Sequence, residues 1–184
     1  MSSRGKLLAL AALFAAPIVA SVIAYNVIEP RHPASFGELL LPPSAVTTQR
    51  FARTGGGEFA FGEVAGKWVL VASDSGACPE PCREKLATMR QVRLALGRNA
   101  PRVERVFVVD DLRAPAEGLA EELAGTRLVL TPAGMRLPPG AANDRAHVYL
   151  VDPHGSVMMR WPAGADRKRM LGDLQRLLRA SQIG

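Results

Sequence analysis

A wholly apolar run, Trp68-Val69-Leu70-Val71-Ala72, leads within a few residues into Cys78-Pro79-Glu80-Pro81-Cys82, and a helical pattern follows at once. A run of that length bounded by turn residues reads as a buried strand. From about Pro81 to Gly97, Leu86, Met89, Val92, Arg93 and Leu96 recur at helical spacing, with Gly97 as the stop. A strand that turns directly into a helix commits the chain to a layered arrangement of sheet and helices. It also puts both thiols at the turn.

These are the only two cysteines in the 184 residues. Where a loop runs into a helix, residues four apart lie about one turn apart, so both sulfurs can face one side. The helix N-terminus favours thiolate over thiol, and proline is tolerated in the first turn. Such a pair either forms a reversible disulfide or holds one soft metal ion. A purely structural staple is the weaker use, because closing so short a loop removes little unfolded-state entropy. An exposed pair in an oxidising compartment rests as a disulfide unless something reduces it or a metal caps it.

The remaining pattern supplies the partners of that first strand. Glu58 to Phe61 reads as a short strand and Val103 to Val109 as a second buried one, ending in Asp110-Asp111. Pro115 to Ala124 is a short helix, Arg127 to Leu130 a strand, and Thr131 to Asn143 a Gly/Pro-rich loop. Ala146 to Val151 and Ser156 to Trp161 form a hairpin through Asp152-Pro153-His154-Gly155, and Ala165 to Ser181 is a closing helix. The order predicts an α/β, thioredoxin-like fold: a central mixed sheet flanked by helices. The cysteines fall beyond the carboxyl end of the first βαβ strand, where functional residues collect. Asp110 and Asp111 end a strand on the same edge, with a loop-start or capping role expected.

Leu7 to Ile28 contains no charged side chain. Its 22 residues span about 33 Å as a helix, a bilayer core's thickness. Arg4 and Lys6 precede it, which favours an N-terminus in the cytoplasm. The organisation expected is a transmembrane anchor at 1–28, a proline-containing linker at 29–57 and the thioredoxin-like domain at 58–184. The alternative for the first segment is a cleavable signal peptide. Either way the domain lies outside the cytoplasm.

The net charge is +6 and the sequence pI about 10.0. No aromatic-basic pattern accompanies that charge, so nucleic-acid binding is not indicated. Arg83, Lys85, Arg90, Arg93 and Arg98 read as the solvated decoration of one helix, and Arg167, Lys168, Arg169, Arg176 and Arg179 as that of another. No nucleophile elbow, HExxH or phosphate loop is present.

Gly66-Lys67-Trp68-Val69-Leu70-Val71, Cys78-Pro79-x-x-Cys82, Val108-Val109-Asp110 and Tyr149-Leu150-Val151-Asp152-Pro153-x-Gly155 together resemble the Sco/SenC family. These are membrane-anchored thioredoxin-fold proteins that deliver copper during cytochrome c oxidase assembly. The resemblance covers the globular part and implies a copper ion, Cu(I) or Cu(II), held by Cys78, Cys82 and one histidine. It also implies an oxidase subunit with a copper site as partner. The implied location is the inner membrane, single-pass, with the C-terminal domain facing the periplasm. Two departures stand out. Arg83 replaces a proline after the second cysteine, and Asp144 occupies the position of the family histidine. His147, two residues before Tyr149, is then the expected third ligand; the other reading is a core or interface histidine. His32 and His154 are expected to be solvated, and Met135, Met158 and Met159 to be packing residues. No proline stands at Asn143-Asp144-Arg145, unlike in ordinary thioredoxin-type enzymes. The alternative function is therefore a partner-specific thiol-disulfide oxidoreductase without copper.

Overall fold

The computed structural model describes residues 3–27, 35–111, 113–131 and 145–181. It divides into two units, 1–34 and 35–184. The first holds helix α1 (Ser3–Val27), whose segment Ser3–Ala24 is long and apolar enough to cross a membrane.

The second unit is built on a sheet of eight strands among the described residues, in the order β1-β8-β7-β4-β5-β6-β2-β3. The strands are β1 (Glu38–Ala45), β2 (Arg50–Arg53), β3 (Glu58–Ala60), β4 (Trp68–Asp74), β5 (Val103–Val109), β6 (Arg127–Leu130), β7 (His147–Val151) and β8 (Ser156–Pro162). Strands β4, β5 and β6 run parallel; β7 is antiparallel to β4, and β8 to β7. Helices α2 (Glu80–Ala95), α3 (Leu119–Glu122) and α4 (Arg167–Ala180) complete the unit. This is the thioredoxin-like sheet that the sequence pattern predicts.

Every residue of β4 is buried, as expected of a strand covered on both faces. Its alternation divides the core. Trp68, Leu70 and Ala72 join the layer under α2, α3 and α4, with Leu86, Met89, Leu119, Met170 and Leu174. Val69 and Val71 face the other side with Phe51, Phe59, Phe61 and Tyr149. Here the stretch expected to be a linker is corrected. Residues 38–45 and 50–53 are strands, β1 on the edge of β8 and β2 beside β6, and Phe51 is fully buried. Proline and polar residues suit an edge strand, whose outer backbone groups need no ladder partner. Read as a sequence, they look like linker.

Asp173, on α4, fastens the start of this unit. Its carboxylate accepts hydrogen bonds from the backbone N–H groups of Phe36 (3.0 Å) and Gly37 (2.8 Å) and from Trp161 Nε1 (3.0 Å). A side chain at Gly37 has no room, because a Cβ there meets Trp161 Nε1 at 2.6 Å and Met159 Sδ at 2.7 Å.

Candidate functional site

Cys78 and Cys82 form a disulfide with their Cα atoms 5.1 Å apart. Cys82 is the third residue of α2, and the carbonyl of Pro79 accepts from the N–H groups of Cys82 and Arg83, which starts the helix. Cys78 is the one described non-glycine residue with positive φ, at 38°. That conformation is uncommon for a residue with a Cβ and marks local strain. The surroundings hold it. The Cys78 N–H donates to the carbonyl of Ser75, and its own carbonyl accepts from Arg83 Nε at 3.3 Å. Arg83, the departure from the expected proline, is gripped by Glu122 at 2.7 Å to both carboxylate oxygens. It thereby links the cysteine turn to α3.

The pair is in the disulfide state expected of an accessible dithiol, but it is not exposed. Cys78 and Cys82 are buried among the side chains under α2. The preceding loop pulls them in. Gly76 donates to Asp111 Oδ1 at 3.1 Å and accepts from the N–H of Ala116 at 2.9 Å. A Cβ on Gly76 meets the carbonyl oxygen of Ala114 at 2.8 Å and that of Arg113 closer still, so only glycine passes here.

Charged groups surround this edge. Lys85, expected to be surface decoration, is 1% exposed. Its ammonium donates to Asp74 Oδ2 (2.9 Å), Ser73 O (2.9 Å) and Arg145 O (2.7 Å). Helical spacing explains the correction: Lys85 lies three residues after Cys82 and one before Leu86, on the inward face. Arg145 in turn binds Asp110 through Nη2 (2.5 Å) and Nε (3.1 Å), with Asp111 at 3.5 Å and Asp74 at 3.8 Å. Burial raises the Asp111 carboxyl, but donors from Ser75, Gly76 and Arg113 and the charge of Arg145 outweigh it and hold the group below its usual value. The hydrogen bond from Arg145 to Asp110 raises the guanidinium above its ordinary value. Asp111 keeps the expected loop-start role, accepting the N–H of Arg113, but neither aspartate caps a helix. Asp110 and Asp111 are the anions that fix Arg145 and the cysteine loop.

His147 begins β7 at the same end of the sheet, but strand parity separates it from the sulfurs. Tyr149 and Val71 share the face opposite the cysteines, and Val148 and Ala72 the near face. His147 keeps the parity of Tyr149, with their ring centroids 6.2 Å apart. The expected ligand set Cys78, Cys82 and His147 is therefore not assembled in this disulfide form. Among the described residues no group of three His, Cys, Asp or Glu side chains is placed to hold a metal. His154 is exposed at its turn and Met159 is buried packing, both as expected. His32, Met135 and Asp144 lie outside the described residues.

Residues 68–181 match the family described as transmembrane-like, thioredoxin-like, C-terminal domain. No curated protein sequence is similar to this chain. Solved structures are. Apo Sco1 from Thermus thermophilus matches with a TM-score of 0.63 at 19% identity, covering 81% of this chain and 99% of its own. Yeast Sco1 with copper bound gives 0.62 at 16%, covering 82% and 96%. BsSco, described as a member of the Sco family of cytochrome c oxidase assembly proteins, gives 0.56 at 13%, covering 76% and 96%. At such identities the likeness establishes the fold.

Proposed function

Since the chain belongs to the family of transmembrane-like, thioredoxin-like C-terminal domains, we propose that it is a membrane-anchored copper-handling protein serving cytochrome c oxidase assembly. In this reading α1 anchors the chain in the inner membrane and the second unit faces the periplasm. Cys78 and Cys82 are the working groups. The observation that carries the proposal is a dithiol pair at the strand-to-helix turn of a fold shared with copper-bound yeast Sco1.

The donor set fits the cargo. Two thiolates from the mouth of one helix suit Cu(I), a soft ion content with few ligands. A disulfide offers no thiolate, so loading follows reduction. Two electrons and two protons from a dithiol reductant break the S–S bond and give two thiols, and metal binding then releases both protons. Because the sulfurs are buried, both steps require the 75–78 loop to open. We assign the metal to the two sulfurs. The parity of β7 argues against His147 as a third ligand.

The test is an anaerobic Cu(I) titration of the reduced full chain in detergent against a competing chelator. Wild type, Cys82→Ser and His147→Ala are compared. One equivalent of Cu(I), lost in Cys82→Ser and retained in His147→Ala, is the expected result. Loss in His147→Ala as well would restore the three-ligand site and require β7 to turn its first residue over. No binding by wild type would overturn the copper reading. It would leave partner-specific thiol-disulfide exchange, which the disulfide state itself favours and which turnover of a disulfide substrate by metal-free protein would reveal.

A further inference from the structure

A second recognition feature lies on the flank of α2, between that helix, α3 and β5. It is a cavity of about 350 Å³ whose lining includes Leu86, Leu94, Leu119 and Leu123 together with Arg83, Arg90, Arg105 and Glu122. Its charge is unbalanced. Arg83 is neutralised by Glu122, but Arg90 makes no ion pair among the described residues. Arg105 is stranger. It projects from the middle of β5 into the layer under α2 and is only 4% exposed. Of its donors, Nη2 reaches Ala124 O at 3.0 Å, whereas the buried Nε has no partner among the described residues. Burial first, then the charges of Arg93 and Arg90, lowers its guanidinium below the ordinary value, with Glu104 opposing. A buried cation with an unpaired Nε–H and like-charged neighbours is costly as it stands, and an anion in the cavity relieves the excess positive charge.

The rim identifies the kind of anion. Leu94 is 60% exposed and Arg90 is exposed, so the cavity is an open groove. A small molecule usually finds a site that encloses most of its surface. A groove with apolar walls and an arginine at rim and floor suits a polypeptide segment instead.

We propose that this groove docks an acidic, partly apolar segment of a partner protein, with a carboxylate side chain seated at Arg90 and Arg105 and its apolar neighbours on Leu86, Leu94 and Leu123. The groove adjoins the cysteine turn through Arg83, so a docked partner lies beside the sulfurs. Its recognition does not depend on whether the dithiol carries copper.

Fluorescence anisotropy of the full chain in neutral detergent tests this. The probe is a labelled nine-residue peptide alternating glutamate and leucine, with a glutamine-for-glutamate peptide as its control. Saturable binding is expected that weakens at least tenfold for the control peptide and for Arg90→Glu. It should also weaken in Leu94→Ser and with added salt, and persist in Lys168→Glu on exposed α4. Arg90, Leu94 and Lys168 are exposed, so these variants keep the fold. Absence of binding, equal loss in Lys168→Glu, or full competition by millimolar acetate or inorganic phosphate would overturn the proposal. The last two outcomes reduce the groove to general basicity or to a small-anion site.

Discussion

The ammonium of Lys85 sits 2.9 Å from Oδ2 of Asp74, and both side chains are buried at the carboxyl end of the central strand. One group belongs to the cysteine helix and the other closes β4, so the pair ties the two sides of the cysteine turn together. The same ammonium reaches the carbonyl of Arg145, just before β7. Helix, central strand and β7 are held by one charge.

Lys85→Met therefore leaves Asp74 buried beside two carbonyls that have lost a donor. A loss of about 3 kcal/mol is expected. For a chain of this size that lowers Tm by roughly 6–12 °C. Lys85→Met combined with Asp74→Asn should recover about half of the loss, because no charge then lacks a partner. A double variant no more stable than the single one would show that the ion pair is not the source.

Gly76→Ala introduces a Cβ against two fixed backbone carbonyls, which no side-chain rotation can relieve. The loop must lift from Asp111 and Ala116, at about 1–3 kcal/mol. The disulfide, now less buried, should be reduced faster by dithiothreitol than in wild type. An unchanged reduction rate would mean that access to the sulfurs does not run through this loop.

Asp111 predicts an acid limb. Its folded carboxyl lies below the ordinary aspartate value of about 3.9, so its contribution is complete above that pH and is lost as pH falls through the lower folded value. Urea melts at pH 7, 5 and 3 should show Asp111→Asn destabilised at pH 7 and 5, with the gap to wild type narrowing at pH 3. A gap constant across the three pH values would exclude the charge as the cause.

Asp173→Ala leaves the N–H groups of Phe36 and Gly37 and the indole N–H of Trp161 without their acceptor. Each orphaned buried donor costs about 1–3 kcal/mol. Hydrogen exchange should accelerate at Phe36 and Gly37 before it does in β4. Uniform acceleration across the sheet would point to global destabilisation instead.

The strands β4, β5, β7 and β8 and the helices α2 and α4 were legible because burial on one or both faces writes a period into the sequence. The dithiol was legible because two cysteines four apart at a strand-to-helix turn have few other uses. Lys85 and Asp173 were misread or passed over, since a charged side chain on a helix usually faces water. Only the inward partners, Asp74 for one and Gly37 with Trp161 for the other, reveal why these do not. The strands in 38–53 were missed for a related reason: β1 lies on the sheet edge, which tolerates proline and polar residues, and β2, between β6 and β3, is only four residues long, so pairing leaves little mark on composition.

Local chemistry is thus set by the chain alone. Hydrophobic period, turn residues and thiol spacing act over a few residues, and they determined the element order from β3 onward, the apolar N-terminal helix and the seat of the disulfide. Which face His147 takes, how deep the sulfurs lie and which arginines share the groove beside α2 were decided by tertiary structure. Those properties depend on pairing register between segments tens of residues apart, and a one-residue step along a strand moves a side chain to the other face of the sheet.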